Sequence, residues 1–523
     1  MKGFLSLIAA ALSVAPFIVS ATPTPRENDD PNSVVNRIKC AGKTFTYHGL
    51  VGYGNLPGNF TDKTGDTMST GSGMAITGWK SQKGGKSYKA TAYMLPDRGW
   101  NTEGTTAYQP RIHKLSLTFK PAASYPSGNN IIYKYEDTIL FVDPNGNPLA
   151  GLDPTMTLKF GGFPDLPAAK FPGDGFGGAG SGGTRVSLDS EGLVLDTASE
   201  EGGFWISDEY GPFIYHFDKK GKMDYAVRPP NALIPIRKGK ENFSSNNPPI
   251  YDRNQRPDPI DPESGRSNNQ GFEGLTFDKK EKALYALLQS ATINDGGADK
   301  RTNRYVRLLK YQLDKEGWNP KLAGEWTVPL PQYIDPTTKK NPRTAAQSEI
   351  LSLGEGRFLV LARDSGFGRG QDNTKSVYRH VDVFSISEAT NFKGKYDDFK
   401  SSYAPGGKLD ESITPAEYCS FLDFNVPSEL AKFGLLNGGD DNNAEGLLNE
   451  KWEGLSMVPV DGKEGEYFLF ASNDNDFITQ DGHYNFGKGS YKDGSGFDLA
   501  SQTLAFKVSI KQIQMHERDY MYL

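Results

Sequence analysis

The sequence predicts an all-β chain built as a β-propeller. A short motif recurs along most of the chain, further strand-like runs follow each copy in the same order, and the composition suits many short strands joined by turns. Of 523 residues, 59 are glycine, and aromatics make up 12%, whereas Ala- or Leu-rich windows at helical period are nearly absent. Length alone would suggest several domains, but closed all-β folds often run long as one unit.

The repeat is read directly from the chain. Its copies are Ser190-Glu191-Gly192-Leu193-Val194-Leu195, Phe272-Glu273-Gly274-Leu275-Thr276-Phe277 and Trp452-Glu453-Gly454-Leu455-Ser456-Met457. A weaker copy is Ser348-Glu349-Ile350-Leu351, and a degenerate one is Ser72-Gly73-Met74-Ala75-Ile76. After each comes a second apolar run ending in polar or acidic residues: Tyr93–Arg98, Phe204–Glu209, Leu284–Ser290, Phe358–Asp364 and Phe468–Asp474. Third strands follow at Phe213–Asp218, Val306–Tyr311 and Val381–Ile386, and a fourth is visible at Trp326–Leu330. Four strands per unit in radial repetition is how a propeller removes most exposed sheet edges. Five blade units are readable, within an expected total of roughly five to seven blades. Insertions at 228–270, 331–347 and 387–417 account for the wide spacing and are expected at one rim. A tandem array of immunoglobulin-like sandwiches is the competing architecture.

The N-terminus carries Lys2, an apolar run from Phe4 to Val19 and then Val19-Ser20-Ala21, the pattern of a signal peptide over 1–21. The run is shorter than the roughly 20 residues needed to span a bilayer, so secretion without a membrane span is expected. The Pro-rich, charged segment that follows reads as a disordered arm over 22–39, leaving 40–523 for the propeller. The strand-like Thr44–Tyr47 is placed to complete the last blade beside Leu504–Val508. Cys40 and Cys419 are the chain's two cysteines. In an oxidising compartment a pair of this kind is expected as a disulfide, here between the closing strand and the outer strand of the neighbouring unit. Asn59-Phe60-Thr61 and Asn242-Phe243-Ser244 are glycosylation acceptors, which places Asn59 and Asn242 at the surface. Net charge is −6, with Lys and Arg scattered among Asp and Glu. That leaves no basic stripe for a nucleic acid, and a monomer is expected.

The order Ser207-Asp208-Glu209-Tyr210-Gly211-Pro212, Gly271-Phe272-Glu273-Gly274-Leu275, Leu361-Ala362-Arg363-Asp364, Trp452-Glu453-Gly454-Leu455 and Ser472-Asn473-Asp474-Asn475-Asp476-Phe477 resembles the phytase-like family, also described as esterase-like activity of phytase. The resemblance covers most of the chain from about Ser72. It implies a secreted or periplasmic propeller that hydrolyses phosphate or other esters, and it carries over no catalytic constellation.

The site residues therefore rest on chemistry. Inner strands of a propeller begin beside the axis, so Glu191, Glu273, Glu349 and Glu453 are candidate metal ligands. Carboxylates crowded into one funnel raise one another's pKa unless a cation intervenes, and hard oxygen ligands suit Ca²⁺. The alternative is that each Glu accepts backbone N–H groups and clamps the ring. The ends of the second strands bring Asp97, Asp208, Glu209, Asp364, Asp474 and Asp476 to the rim, with Arg98 and Arg363 beside them. Asp474 and Asp476 join the metal candidates; Asp208, Glu209 and Asp364 join the catalytic ones. Arg98 and Arg363 offer forks for an anion. The Gly-x-Ser-x-Gly elbow is missing, the glycines at 178, 180 and 183 precede a strand rather than a helix, and the six His residues have no paired zinc spacing. Hydrolysis would then need water activated by a metal or a carboxylate. The leading reading is a Ca²⁺-binding propeller hydrolase acting on a small anionic ester. A non-catalytic binding propeller with a structural metal and a lactonase-like hydrolase are the alternatives.

Overall fold

The computed structural model describes residues 34–512. The expected signal peptide and residues 22–33 of the expected arm lie outside the described residues. The arm's last stretch is ordered: Asn36–Cys40 is a strand paired with the start of Lys43–Leu56. The Ala41-Gly42 turn between them has φ of 47° and 72°, the backbone a tight hairpin needs.

The chain is all-β, and five antiparallel sheets dominate it. From first strand to last, sheet 1 is Gly73–Gln82, Ser87–Leu95, Arg111–Phe119 and Ile131–Leu140. Sheet 2 is Ser190–Asp196, Gly203–Asp208, Ile214–Phe217 and Met223–Val227. Sheet 3 is Phe272–Asp278, Ala283–Leu288, Tyr305–Gln312 and Lys321–Pro329. Sheet 4 is Ala346–Gly354, Arg357–Arg363, Arg379–Ser385 and Glu417–Asp423. Sheet 5 takes Trp452–Pro459, Glu466–Asn473 and Ser501–Gln512 from the C-terminal end, then Lys43–Leu56 and Asn36–Cys40 from the N-terminal end. The N-terminal strand thus completes the last sheet, with Tyr47 opposite Val508 and Leu50 opposite Phe506.

The arrangement is propeller-like. The first strand of each sheet touches the first strand of the next, from sheet 1 through sheet 5 and back to sheet 1. The second strands of sheets 2 to 5 are largely buried: Ala-Leu-Tyr-Ala-Leu-Leu over Ala283–Leu288 is buried throughout, as expected for a strand between two packed layers, whereas Ser87–Leu95 in sheet 1 is partly exposed. The outer strand Ile131–Leu140 alternates. The core lies between neighbouring sheets. Ile112, Leu95, Ile206 and Tyr215 join sheets 1 and 2, and Leu284, Leu308, Val360 and Phe384 join 3 and 4. Leu361, Val383, Leu469 and Phe506 join 4 and 5, and Met74, Leu117, Phe470 and Ala505 join 5 and 1.

At the centre, the strands approach too closely for side chains. A Cβ on Gly192 would stand 2.6 Å from the Glu273 carbonyl oxygen and 2.8 Å from the Leu275 nitrogen of the next sheet. Gly73 meets the next first strand in the same way, whereas Gly274 meets the Gln347 side chain at 2.8 Å and the Ile350 nitrogen at 3.1 Å, and Gly454 meets the Ser472 hydroxyl of its own sheet and the Gly71 carbonyl oxygen at 3.1 Å. The Gly of the repeat is therefore a packing requirement.

Cys40 and Cys419 are bonded, S–S 2.17 Å, which ties the outer strand of sheet 5 to the outer strand of sheet 4 across 379 residues of chain. The long insertions are pinned by buried arginines. Arg266 donates to the Tyr210 carbonyl at 2.7 Å and the Phe243 carbonyl at 2.6 Å, holding the 228–270 insertion on the end of sheet 2. Of the two acceptor triplets, Asn59 is exposed. Asn242 is half-buried, its Oδ1 accepting from the Ser244 N–H, and the Ser244 hydroxyl donates to Asp153 at 2.5 Å.

Gly192→Ala is expected to destabilise the protein by about 1–3 kcal/mol or more through overpacking. Gly128→Ala, with nothing within 4 Å of the added methyl, should stay within about 0.5 kcal/mol of the parent. Denaturant unfolding of the two variants measures the difference, and equal effects would contradict the close-packed ring.

Candidate functional site

Four of the five first strands enter the ring through a β-bulge, and in sheets 3 and 5 the residue just before the packing glycine is the one left out of the ladder. The bulges fall at Ser190/Leu193, Phe272/Gly274, Gln347/Glu349 and Trp452/Gly454. An extra residue at a bulge re-aims its side chain, which brings Glu191, Glu273 and Glu453 to the wall of one central cavity. In sheet 4 the corresponding residue is Ser348. Glu349 sits one place later, at the position Gly274 and Gly454 hold elsewhere. Its carboxylate accepts the Leu275 N–H at 3.0 Å and the Ile350 N–H at 2.8 Å, so it stitches sheet 4 to sheet 3 and does not line the cavity. In sheet 1 the equivalent residue is Ser72. The five positions Ser72, Glu191, Glu273, Ser348 and Glu453 are all buried.

The cavity has a volume of about 150 Å³. Ends of second strands and their loops complete it: Asp97 and Arg98 after Ser87–Leu95, Glu209 after Gly203–Asp208, and Arg363 at the end of Arg357–Arg363. Asp189, Gln289, Lys300 and Lys451 also line it. The Arg98 guanidinium pairs with Asp189. Arg363 Nη2 donates to Glu453 Oε1 at 2.6 Å, and Gln289 Nε2 donates to Glu273 Oε1. Lys451 Nζ stands 2.8 Å from both Asp474 and Asp476, and 3.8 Å from Asp97 and Glu453.

Several buried atoms of this wall have no hydrogen-bond partner. The acceptors are Asp189 Oδ1, Glu209 Oε1, Glu273 Oε2 and Glu453 Oε2; the donors are Arg98 Nε and Arg363 Nε. Because buried polar groups are normally satisfied, open acceptors and open donors in one small cavity point to a ligand that answers both. Carboxylate oxygens of Asp189, Glu191 and Glu209, all buried, lie within 4.8 Å of one another, as do those of Asp97, Asp474 and Asp476. Lys451 already supplies the positive charge to the second trio. The first trio has Arg98 on Asp189 alone, and it fits a hard cation bound through oxygen.

A family profile described as phytase-like, esterase-like activity of phytase, matches residues 88–477. The chain belongs to the phytase-like family. A relative from Arthroderma benhamiae, described as an uncharacterized secreted protein, is 49% identical over 471 residues, covering 86% of this phytase-like chain and 90% of its own. Among solved structures, a GH43 β-1,3-galactosidase with galactodeoxynojirimycin covers 88% of the chain and 95% of its own at TM-score 0.33 and 10% identity. A gluconolactonase from Xanthomonas campestris covers 80% and 90% at TM-score 0.22 and 9% identity. Scores this low bear on neither fold nor activity.

Within the phytase-like wall, two residues that the sequence places at the rim serve the backbone. Asp208 accepts N–H groups from Asp189, Tyr210 and Gly211, and Asp364 accepts from Val377 and Tyr378 and from the Ser376 hydroxyl. Both hold turns. Asp474 and Asp476 hold Lys451. Asp189, Lys300 and Lys451 are site residues that the repeat does not reveal, and Gln289 is the polar end of the second run Leu284–Ser290.

Burial raises the pKa of the central acids, and their neighbours add to it. Burial and then Glu273, Asp189, Glu209 and Glu453 hold Glu191 well above the ordinary carboxylate range. Burial and Asp189 push Glu209 up to about 8. Burial, against the pull of Lys451 and Arg363, leaves Glu453 at about 7.

A carboxyl group with a raised folded-state pKa is protonated more readily in the folded than in the unfolded chain. Its stabilising contribution is whole below the unfolded value of 4.5 and, for Glu209, is lost as pH rises toward about 8. Metal-free protein is therefore expected to melt at lower temperature as pH rises through that window, and added Ca²⁺ should flatten the slope. Thermal unfolding across pH, with and without chelator, measures it. A metal-free melting temperature that rises over the window would contradict the assignment.

Proposed function

We propose that this chain is a secreted hydrolase of small anionic esters, assisted by Ca²⁺ and housed in a five-bladed β-propeller. Five sheets whose first strands touch in a cycle support the blade count. Secretion is supported by the leader pattern at the N-terminus, by the Cys40–Cys419 disulfide and by the relative described as secreted. No helix among the described residues is long and apolar enough to cross a membrane. The observation that carries the chemistry is the pairing, in one cavity, of a buried carboxylate trio short of positive charge with guanidinium and ammonium groups on the same wall.

Asp189, Glu191 and Glu209 are the residues that would hold Ca²⁺. When bound, such a cation supplies Lewis-acid polarisation of the ester. The chain's own side chains supply binding and proton handling. Arg363 keeps its Nη2 on Glu453 and has Nε free for an anionic oxygen. Gln289 fixes Glu273 through one oxygen and leaves the other, Oε2, open. Glu453, at about 7, lies where a carboxyl group exchanges protons near neutral pH, as a general acid or base requires.

The test is turnover of phosphomonoesters, phytate and carboxylic esters by purified protein with Ca²⁺ supplied. Glu209→Gln should lose both metal affinity and turnover while the fold persists. Arg363→Lys should keep the metal and lose roughly tenfold to hundredfold in kcat/KM, because Lys cannot reproduce the guanidinium fork. No turnover of any ester by folded, metal-loaded parent protein would turn the reading to a binding propeller with a structural metal.

A further inference from the structure

Four cations line the central cavity, and three are matched by carboxylates: Arg98 by Asp189, Arg363 by Glu453, and Lys451 by Asp474 and Asp476. Lys300 is the fourth, and no carboxylate among the described residues lies within 4.0 Å of its Nζ. Its side-chain partner is the Ser365 hydroxyl at 3.2 Å. Lys300 stands at the open mouth of the cavity and is exposed. Partial desolvation and then the neighbouring Arg343 and Arg363 lower its pKa, against the pull of Glu450 and Asp335, which act from beyond ion-pair distance. The Arg343 charge is itself answered by Asp335 at 2.6 Å.

Its position is fixed. The Lys300 carbonyl accepts the Thr344 N–H at 2.8 Å, and Thr344 is itself part of the lining. Arg363 lines the same cavity and lies close enough to act on the Lys300 ammonium, and its buried Nε has no partner. An ammonium and a guanidinium on one wall are an arrangement suited to oxygens that carry negative charge. Size sets a second limit. Pockets that enclose whole small molecules run to roughly 300–1,000 Å³, well above the 150 Å³ here.

We propose that Lys300 determines specificity: with the free Nε of Arg363 it grips the anionic head group of the substrate, and only that head group enters the cavity. The rest of the molecule stays outside the mouth. Turnover by this site rests on the hydrolase reading above; recognition of the head group does not.

The experiment uses the Ca²⁺-loaded full chain. Inorganic phosphate is titrated by calorimetry into parent, Lys300→Met and Lys300→Arg proteins, and the same proteins are assayed on a phosphomonoester and on a neutral acetate ester. Lys300→Met should weaken phosphate binding and raise KM for the phosphomonoester by about tenfold or more, as expected for losing a hydrogen bond to a charged group, with kcat little changed. Lys300→Arg should restore most of the loss, and turnover of the neutral ester should be unaffected. Phosphate binding that depends on Lys300 without turnover of any ester leaves this inference standing and removes the hydrolase reading. Turnover in which Lys300→Met treats charged and neutral esters alike, or parent protein that does not bind phosphate, overturns the inference.

Discussion

The structure depends on how closely the first strands pass one another at the axis. Where the repeat has Gly192, the next sheet's backbone lies 2.6 Å from the place a Cβ would occupy, and the same approach recurs at Gly73; at Gly274 and Gly454 that backbone lies 3.1 Å away, with the Gln347 and Ser472 side chains nearer. The sheets can then close into a ring, and each bulge turns the preceding residue toward the centre. Sheet 4 makes its join differently. Glu349 stands where the glycine would, and its carboxylate binds the Leu275 and Ile350 N–H groups. A carboxylate that accepts two backbone N–H groups is committed to the scaffold, so this Glu is a clamp while its counterparts in sheets 2, 3 and 5 face the cavity.

The ring concentrates acid in a small space. Coulomb repulsion and burial both oppose ionisation there, and the chain answers each cluster with a different device. Lys451 pairs with Asp474 and Asp476 and stands 3.8 Å from Asp97, so it touches every member of that trio. Arg363 covers one oxygen of Glu453, and Gln289 donates to one oxygen of Glu273. Asp189, Glu191 and Glu209 receive the least: Arg98 reaches Asp189 alone, and one oxygen each of Asp189 and Glu209 has no partner. That imbalance, set beside an unmatched Lys300 at the mouth, gives the cavity two poles. A polarised site of this kind suits a ligand that brings positive charge to one side and negative charge to the other.

Much of this was legible in the sequence because the ring is periodic. The Glu-Gly-Leu copies located three axial carboxylates and three packing glycines, the second runs located the rim, and Cys40 and Cys419 fell on the strands that meet. Glu349 takes the clamping role that stood as the alternative for each Glu, through a one-residue offset: Ser348-Glu349-Ile350 and Phe272-Glu273-Gly274-Leu275 look alike until the ladder shows which residue is bulged out. Asp208 and Asp364 have the right position for rim acids, but whether such a carboxylate faces solvent or caps a turn depends on backbone N–H groups that no residue pattern displays. Lys300 comes from a loop with no period, and its place in the cavity follows from how that loop folds back over the ring.

The claim on which the functional account rests is that the buried trio takes one hard cation in place of protons. Titration of Ca²⁺ into metal-free protein by calorimetry, in two buffers of different ionisation enthalpy, reads the stoichiometry and the protons exchanged together. The account predicts about one Ca²⁺ per chain, bound with release of protons near neutral pH, because ligands must be deprotonated to coordinate, Glu209 is pushed up to about 8 and burial shifts Glu191 upward as well. Binding without proton release, or no binding at millimolar Ca²⁺, would contradict it.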